Sequence, residues 1–361
     1  MASYNGTLTF VPVTLLDNGT AHSSSEGSTV VNILQATFLF ITFIVGLPGN
    51  SLYLWILGWK MKRTVMIIWF SHLIAAYLLF TLTIPFRIVF FLLESHWMFG
   101  LVGCKLVSSG MTLSMFSSVF LLMIISVDRC MLVVHPLWSR FYRTTYRASA
   151  ICVTVWITAL CLSVPNLIFT ETFVTQEGKT ICRNNYAVSE EWKSWEIQYV
   201  RRTVHWSMFI LILVLGFLFP FSVMTVSYII LSAKIKQKHL TKSGKSTRVI
   251  IMAAGSFFVC WLPYHIFHGL LLYQTDIAML VLHIMSVITV ILCCVNACFT
   301  PIFYLFIGEN FKHVFKKSIH SWFRMAFSEN LYSMDSDSEK HLGFPTSHKK
   351  MTESFQLSSP V

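Results

Sequence analysis

Few residues in this chain could do chemistry, and the most conspicuous are adjacent. Asp128 and Arg129 follow the stretch MTLSMFSSVFLLMIISV, which carries no charge. In a soluble chain such a pair would mark a buried helix that surfaces. In a membrane protein it would mark the end of a spanning helix. Catalytic alternatives are poorly supplied. His72, His205, His265, His268 and His283 are scattered, and no nucleophile–base pair can be assembled from them. Cys293 and Cys294 are adjacent and so point to different faces of a helix, and no other cysteine spacing resembles a metal site. No enzyme activity, metal or cofactor is expected.

The elements that carry these residues are apolar runs. The chain has 361 residues, of which 55% are hydrophobic and 12% charged. Soluble domains carry roughly twice that charged share. Runs near 33–58, 66–92, 105–127, 148–169, 206–232, 248–272 and 278–307 each approach or exceed the ~20 residues needed to cross a bilayer. They do not alternate, which excludes barrel strands. The expected fold is an all-α membrane protein, a seven-transmembrane helix bundle.

Lys and Arg set the orientation. Residues 1–32 contain none, whereas Lys60, Lys62 and Arg63, then Arg140, Arg143 and Arg147, then Lys234 to Arg248 fill alternate connections. Basic connections stay in the cytoplasm, which puts the N-terminus outside and the C-terminus inside. This topology accounts for most of the net charge of +11 without a nucleic-acid partner. Asn5-Gly6-Thr7 and Asn18-Gly19-Thr20 then become external glycosylation acceptors at Asn5 and Asn18. Cys104 and Cys182 fall on the same oxidising side, where a disulfide between them is sensible.

The expected organisation is an extracellular glycosylated segment over 1–32 and a membrane domain over 33–307. An amphipathic eighth helix on the inner leaflet follows over 308–327, then a cytoplasmic disordered tail over 328–361. No internal repeat marks a transporter and no charged ring marks a channel. Prolines at 48, 85, 165, 220, 263 and 301 interrupt the spans. Proline loosens a helix ladder, which suits a bundle that changes shape to pass a signal.

The motifs resemble one family. GNSLYLWI with Asn50, the DRC triplet at 128–130, Trp156, Pro220 with Tyr228, CWLPYH at 260–265 and TPIFY at 300–304 are similar to the rhodopsin-like (class A) G-protein-coupled receptors. ESHWMFG, VHPLWSRFYRT, ICRNNYAV and LFIGENFKHVFKKSI resemble the chemoattractant group, near an orphan receptor beside the formyl-peptide branch. The resemblance implies that Arg129 pairs with Asp128 at rest and meets the G protein on activation. It implies that Tyr228 and Tyr304 stabilise the active state. Trp261 and Pro263 would sense the ligand and supply the kink, with Pro301 in the seventh span. Pro136 and Leu137 would touch the G protein.

Several residues depart from the family pattern. Cys130 stands where Tyr is usual. Tyr77 aligns with the mid-membrane aspartate of the second span, and Thr300 stands where Asn or Asp is usual, while Ser118 and Asn296 keep the polar pocket. Without its carboxylate that pocket has no anionic ligand for sodium. Thr112, Met208 and Ile212 replace the acid and two arginines that grip ligand in formyl-peptide receptors. Arg87, His205, Tyr264 and His268 remain as candidate polar contacts near the mouth.

The resemblance implies a plasma-membrane receptor for an extracellular chemoattractant-type peptide or lipid mediator. It would signal through an inhibitory-type heterotrimeric G protein and meet arrestin and receptor kinases. The alternative is a signalling-silent scavenger or arrestin-coupled pseudoreceptor; a transporter is the remaining reading.

Overall fold

The computed structural model describes residues 24–176, 178–186, 195–237, 244–272 and 279–305. Its elements run α1 Ser24–Trp55, α2 Val65–Leu92, α3 Gly100–Val134, α4 Pro136–Tyr142, α5 Thr145–Phe169, β1 Thr170–Val174, β2 Thr180–Asn184, α6 Trp195–Leu213, α7 Phe219–Gln237, α8 Gly244–Leu272 and α9 Met279–Leu305. Short π-helical segments, Ile56–Lys60 and Val214–Leu218, continue α1 and join α6 to α7. Asn5, Asn18 and the segments 308–327 and 328–361 lie outside the described residues.

Six helical stretches among the described residues are long and apolar enough to cross a membrane: Thr29–Lys60, Val65–Leu92, Gly100–Val134, Thr145–Phe169, Arg202–Gln237 and Ile251–Leu272. The seventh apolar run forms α9, whose stretch Val281–Ala297 is apolar but shorter. Large apolar side chains point outward along these helices, among them Ile33, Phe40 and Ile44 on α1, Val153 and Ile157 on α5, and Ile229 on α7. Water would not tolerate so much exposed hydrocarbon; lipid does. The protein is an all-α multi-pass membrane protein with one small hairpin.

Sequence pattern explains the packing. On α5 the buried residues Ala148, Cys152, Val155, Ala159 and Ser163 recur at helical spacing and form the inward stripe. Around α3 are packed α2, α5, α7 and α8, so α3 is the central post. Hydroxyls inside the spans spend their protons on carbonyls one turn back, as Thr42 does on Phe38 and Ser163 on Ala159. Two helix starts, those of α2 and α5, are capped: the Thr64 and Thr144 hydroxyls accept from the backbone N–H of Ile67 and Arg147.

The π segment before α7 has a local cause. Pro220 has no N–H and its ring crowds the preceding turn, and a widened turn relieves both. Gly216, inside that segment, allows close approach to α3. A Cβ there would lie 3.3 Å from the Met115 methyl and 3.4 Å from the Phe116 ring.

The hairpin sits at one end of the bundle. β1 and β2 are antiparallel with Thr172 opposite Cys182. The Cys104–Cys182 disulfide, with Cα atoms 5.7 Å apart, ties β2 to the start of α3. Lys105 donates to the carbonyls of Leu167 and Ile168 at 2.7 and 3.2 Å, closing the C-terminus of α5. Trp97 N–H donates to the Thr180 carbonyl at 2.7 Å, which fastens the α2–α3 connection to the same hairpin.

Candidate functional site

At the opposite end, Asp128 lies in the last third of α3 and is hydrogen-bonded by Arg143, not by its neighbour. Arg143 Nε donates to Asp128 Oδ1 at 2.7 Å and Nη2 to Oδ2 at 3.0 Å. The expected Asp128–Arg129 pair is therefore corrected. Adjacent residues on a helix face different directions, so Asp128 and Arg129 cannot readily meet. Arg143 follows α4, its N–H capping that helix on the Ser139 carbonyl at 3.1 Å. Pro136 starts α4, where a missing N–H costs nothing. Buried Ser139 faces the bundle and Leu137 points out, 75% exposed. The short helix thus delivers Arg143 to the end of α3.

Arg129 is left for other work. Its Nε is buried and makes no hydrogen bond among the described residues. Cys130 beside it is buried. One turn earlier, Ser126 donates to the Leu122 carbonyl at 2.8 Å and contacts the Tyr228 hydroxyl at 2.6 Å. A serine has one proton, so Tyr228 is the donor in the second bond. Tyr228 on α7 is thereby fixed to α3 near Arg129.

The mid-bundle polar cluster contains no acid among the described residues. Tyr77 is buried at 2% exposure, and Thr81 donates to its carbonyl at 2.8 Å. Asn50 donates to the Ala297 carbonyl at 3.2 Å and to Thr81 at 3.5 Å, joining α1, α2 and α9. Ser118 spends its proton on the Met115 carbonyl at 2.9 Å. Asn296 is buried nearby in sequence on α9. Thr300, Pro301 and Tyr304 fall within α9, but their side chains lie outside those described.

Toward the disulfide end, α8 carries an aromatic ladder. Trp261 stacks on Phe257 at 5.7 Å and meets Tyr264 edge-on at 5.3 Å; Tyr264 meets His268 at 4.3 Å. Pro263 lies inside this helix. The indole N–H of Trp261 makes no hydrogen bond among the described residues. His205 is buried and stacks on Tyr186 at 5.2 Å. Met208 and Ile212 are half-buried on α6. Burial pushes the Tyr186 phenol up, so it stays neutral while accepting from Asn184 at 2.9 Å.

Thr112 is not an open contact. It accepts a hydrogen bond from Asn166 and donates to the Ser108 carbonyl at 3.2 Å. Asn184 donates to Asn166 at 3.3 Å and accepts from Thr170 at 2.6 Å. Thr112, Asn166, Asn184, Thr170 and Tyr186 thus form one polar seam under the hairpin. Sequence reasoning missed this seam and the role of Arg143. The available signals were Asn166 at the end of an apolar run and a basic residue one short helix beyond Asp128.

Arg87 is buried on α2 and borders a cavity of ≈ 20 Å³, about one water molecule in size, with Phe80, Thr83, Met111, Cys293 and Cys294 on its wall.

The family comparison agrees with this layout. The model of the 7 transmembrane receptor (rhodopsin family) matches residues 49–304. "Probable G-protein coupled receptor 33" of Homo sapiens is 44% identical over 317 residues, 88% of this chain and 93% of that protein. "C3a anaphylatoxin chemotactic receptor" of Oncorhynchus mykiss is 34% identical over 309 residues, 85% of this chain and 83% of that protein. "N-formyl peptide receptor 3" of Pongo pygmaeus is 35% identical over 311 residues, 84% of this chain and 88% of that protein. The chain belongs to the rhodopsin family of seven-transmembrane receptors, signalling proteins rather than enzymes, and is related there to the chemoattractant receptors.

Proposed function

We propose that this protein is a plasma-membrane receptor for an extracellular chemoattractant-type peptide or lipid mediator, coupled to an inhibitory-type heterotrimeric G protein. In this reading the N-terminus is outside, with glycans on Asn5 and Asn18, and the disulfide end is the ligand mouth. The Asp128 end is cytoplasmic, and an amphipathic helix over 308–327 follows the seventh span. Receptor kinases and arrestin act on the tail. The relatives with chemotactic and formyl-peptide names support the ligand class.

The observation that carries the reading is the commitment of Asp128 to Arg143. It gives both hydrogen bonds of the acid to Arg143 and leaves the half-buried Arg129, with Tyr228 beside it, for an incoming partner. Leu137 stands exposed on the adjoining helix as a second contact. Trp261, below the mouth, and the prolines of α8 and α9 link ligand entry to movement of those helices. Nucleotide exchange on purified heterotrimers, driven by a panel of chemoattractant peptides and lipids, tests it. Silence on the inhibitory type across the panel, at normal surface expression, contradicts it.

One observation favours a second reading. Tyr77 fills the place of the family's carboxylate and is almost fully buried. A bundle that has lost this polar relay, with Thr300 and Cys130 also altered, could bind and internalise ligand without exchange. Ligand-driven arrestin recruitment with no nucleotide exchange would favour this scavenger reading.

A further inference from the structure

We infer that the pocket at the disulfide end takes its ligand by a carboxylate, received by Arg87 with His268 and Tyr264, while apolar walls hold a hydrocarbon body. This rests on reading that end as the ligand mouth and goes on to name the ligand chemistry.

Charge gives the first argument. The six long spans and Val281–Ala297 contain one acid, Asp128, and it lies at the other end. The same segments bring Arg87, His205, His265 and His268 into the half near the hairpin, all buried. The described carboxylates at the rim are engaged, Glu94 by Lys179 at 3.0 Å and Glu171 by Asn185 at 2.7 Å. Among the described side chains at this end, a cationic ligand would meet like charge, neutral groups or carboxylates already engaged. An anion meets a guanidinium and imidazole N–H groups in a low-dielectric setting, where charge-assisted bonds are strongest.

Unsatisfied polarity gives the second. His268 is 1% exposed, and neither ring nitrogen has a hydrogen-bond partner among the described residues. A buried imidazole without partners is unfavourable, and a ligand oxygen would relieve it. Tyr264 lies against it, and Arg87 is close enough for its charge to act on both. Arg87 stands on α2 and the other two on α8.

The cavity gives the third. Beside Arg87 it is walled by Phe80, Met111 and the two α9 cysteines, and it holds about one water. A carboxylate oxygen at Arg87 would fill that volume, and a larger group would enter as Met111, whose unbranched thioether yields readily, moves aside. Apart from Arg87 and Thr83, whose hydroxyl donates to the Phe80 carbonyl, the walls are hydrocarbon and sulfur. Thr112, already bonded to Asn166, adds no anion of its own.

The test is affinity selection on the full-length receptor in nanodiscs, read by mass spectrometry. One arm offers a random hexapeptide library as free acids and the same library with amidated C-termini. The other offers saturated and unsaturated fatty acids of twelve to twenty carbons and their primary amides. Acids should be retained at least tenfold over amides in one arm, and the arm identifies the source. Arg87→Gln and His268→Leu should lose the preference, and Arg87→Lys should keep part of it. Should Arg87→Gln fail to fold, His268→Leu and Arg87→Lys still decide. Equal retention of acids and amides, a preference that survives in the folded variants, or retention of neither class overturns the inference. Acid retention without nucleotide exchange would sink the signalling reading alone, and exchange driven by a neutral ligand would sink the carboxylate alone.

Discussion

Arg143 grips Asp128 with two parallel hydrogen bonds of 2.7 and 3.0 Å, so the acid beside Arg129 belongs to a residue fifteen positions downstream. Both side chains are largely covered, at 22% and 11% exposure. The pair turns the connection after α3 into a strut.

A double-mutant cycle measures that strut. Asp128→Asn and Arg143→Met should each lower thermal stability, by about 1.5–3 kcal/mol for charged hydrogen bonds of this kind. The double variant should lose clearly less than the sum. Additive losses would show that the two side chains are independent in the membrane.

The polar seam under the hairpin should be separable from ligand contact. Thr112→Val removes the acceptor for Asn166 and should cost about 1–2 kcal/mol if Asn166 is left unsatisfied. Hydrogen exchange should quicken in β2, through Asn184, before it changes in α3. Unchanged protection of β2 would sever the proposed link from Thr112 to the hairpin.

The disulfide closes a loop of 78 residues in sequence separation. Cys104→Ser or Cys182→Ser should cost roughly 2–5 kcal/mol on loop-closure grounds and reduce delivery to the cell surface. Normal surface levels and normal thermal stability in both variants would count against a structural role.

Sodium should not act as a ligand of the resting bundle. The sequence has Tyr77 where the family has a carboxylate and Thr300 where it has Asn or Asp, so these two positions offer sodium no anionic oxygen to offset the loss of its hydration shell. Thermal stability in sodium chloride and in an organic-cation chloride of equal ionic strength should therefore agree. Tyr77→Asp combined with Thr300→Asn should create a sodium-specific rise. A sodium-specific shift in the unaltered protein would contradict this account of α2.

The apolar helices and the cysteine pair were legible because hydrophobic length and compartment chemistry are local properties of the chain. α1 nonetheless begins at Ser24, ahead of the apolar boundary at 33, since a helix can extend past the hydrocarbon into polar sequence. The partner of Asp128 was not legible. Arg140, Arg143 and Arg147 look alike as loop charges, and only the seven-residue α4 selects Arg143. The Thr112–Asn166–Asn184 seam was hidden for the same reason. Its members come from α3, α5 and a hairpin whose register no periodicity reveals.

The most direct test of the central claim is nucleotide exchange on a purified inhibitory-type heterotrimer by the receptor in nanodiscs, with and without Arg129→Ala, across chemoattractant peptides and lipids. The account predicts exchange with at least one ligand class, abolished by Arg129→Ala while ligand binding persists. Ligand binding with no exchange on any heterotrimer, or exchange that survives Arg129→Ala, would contradict it.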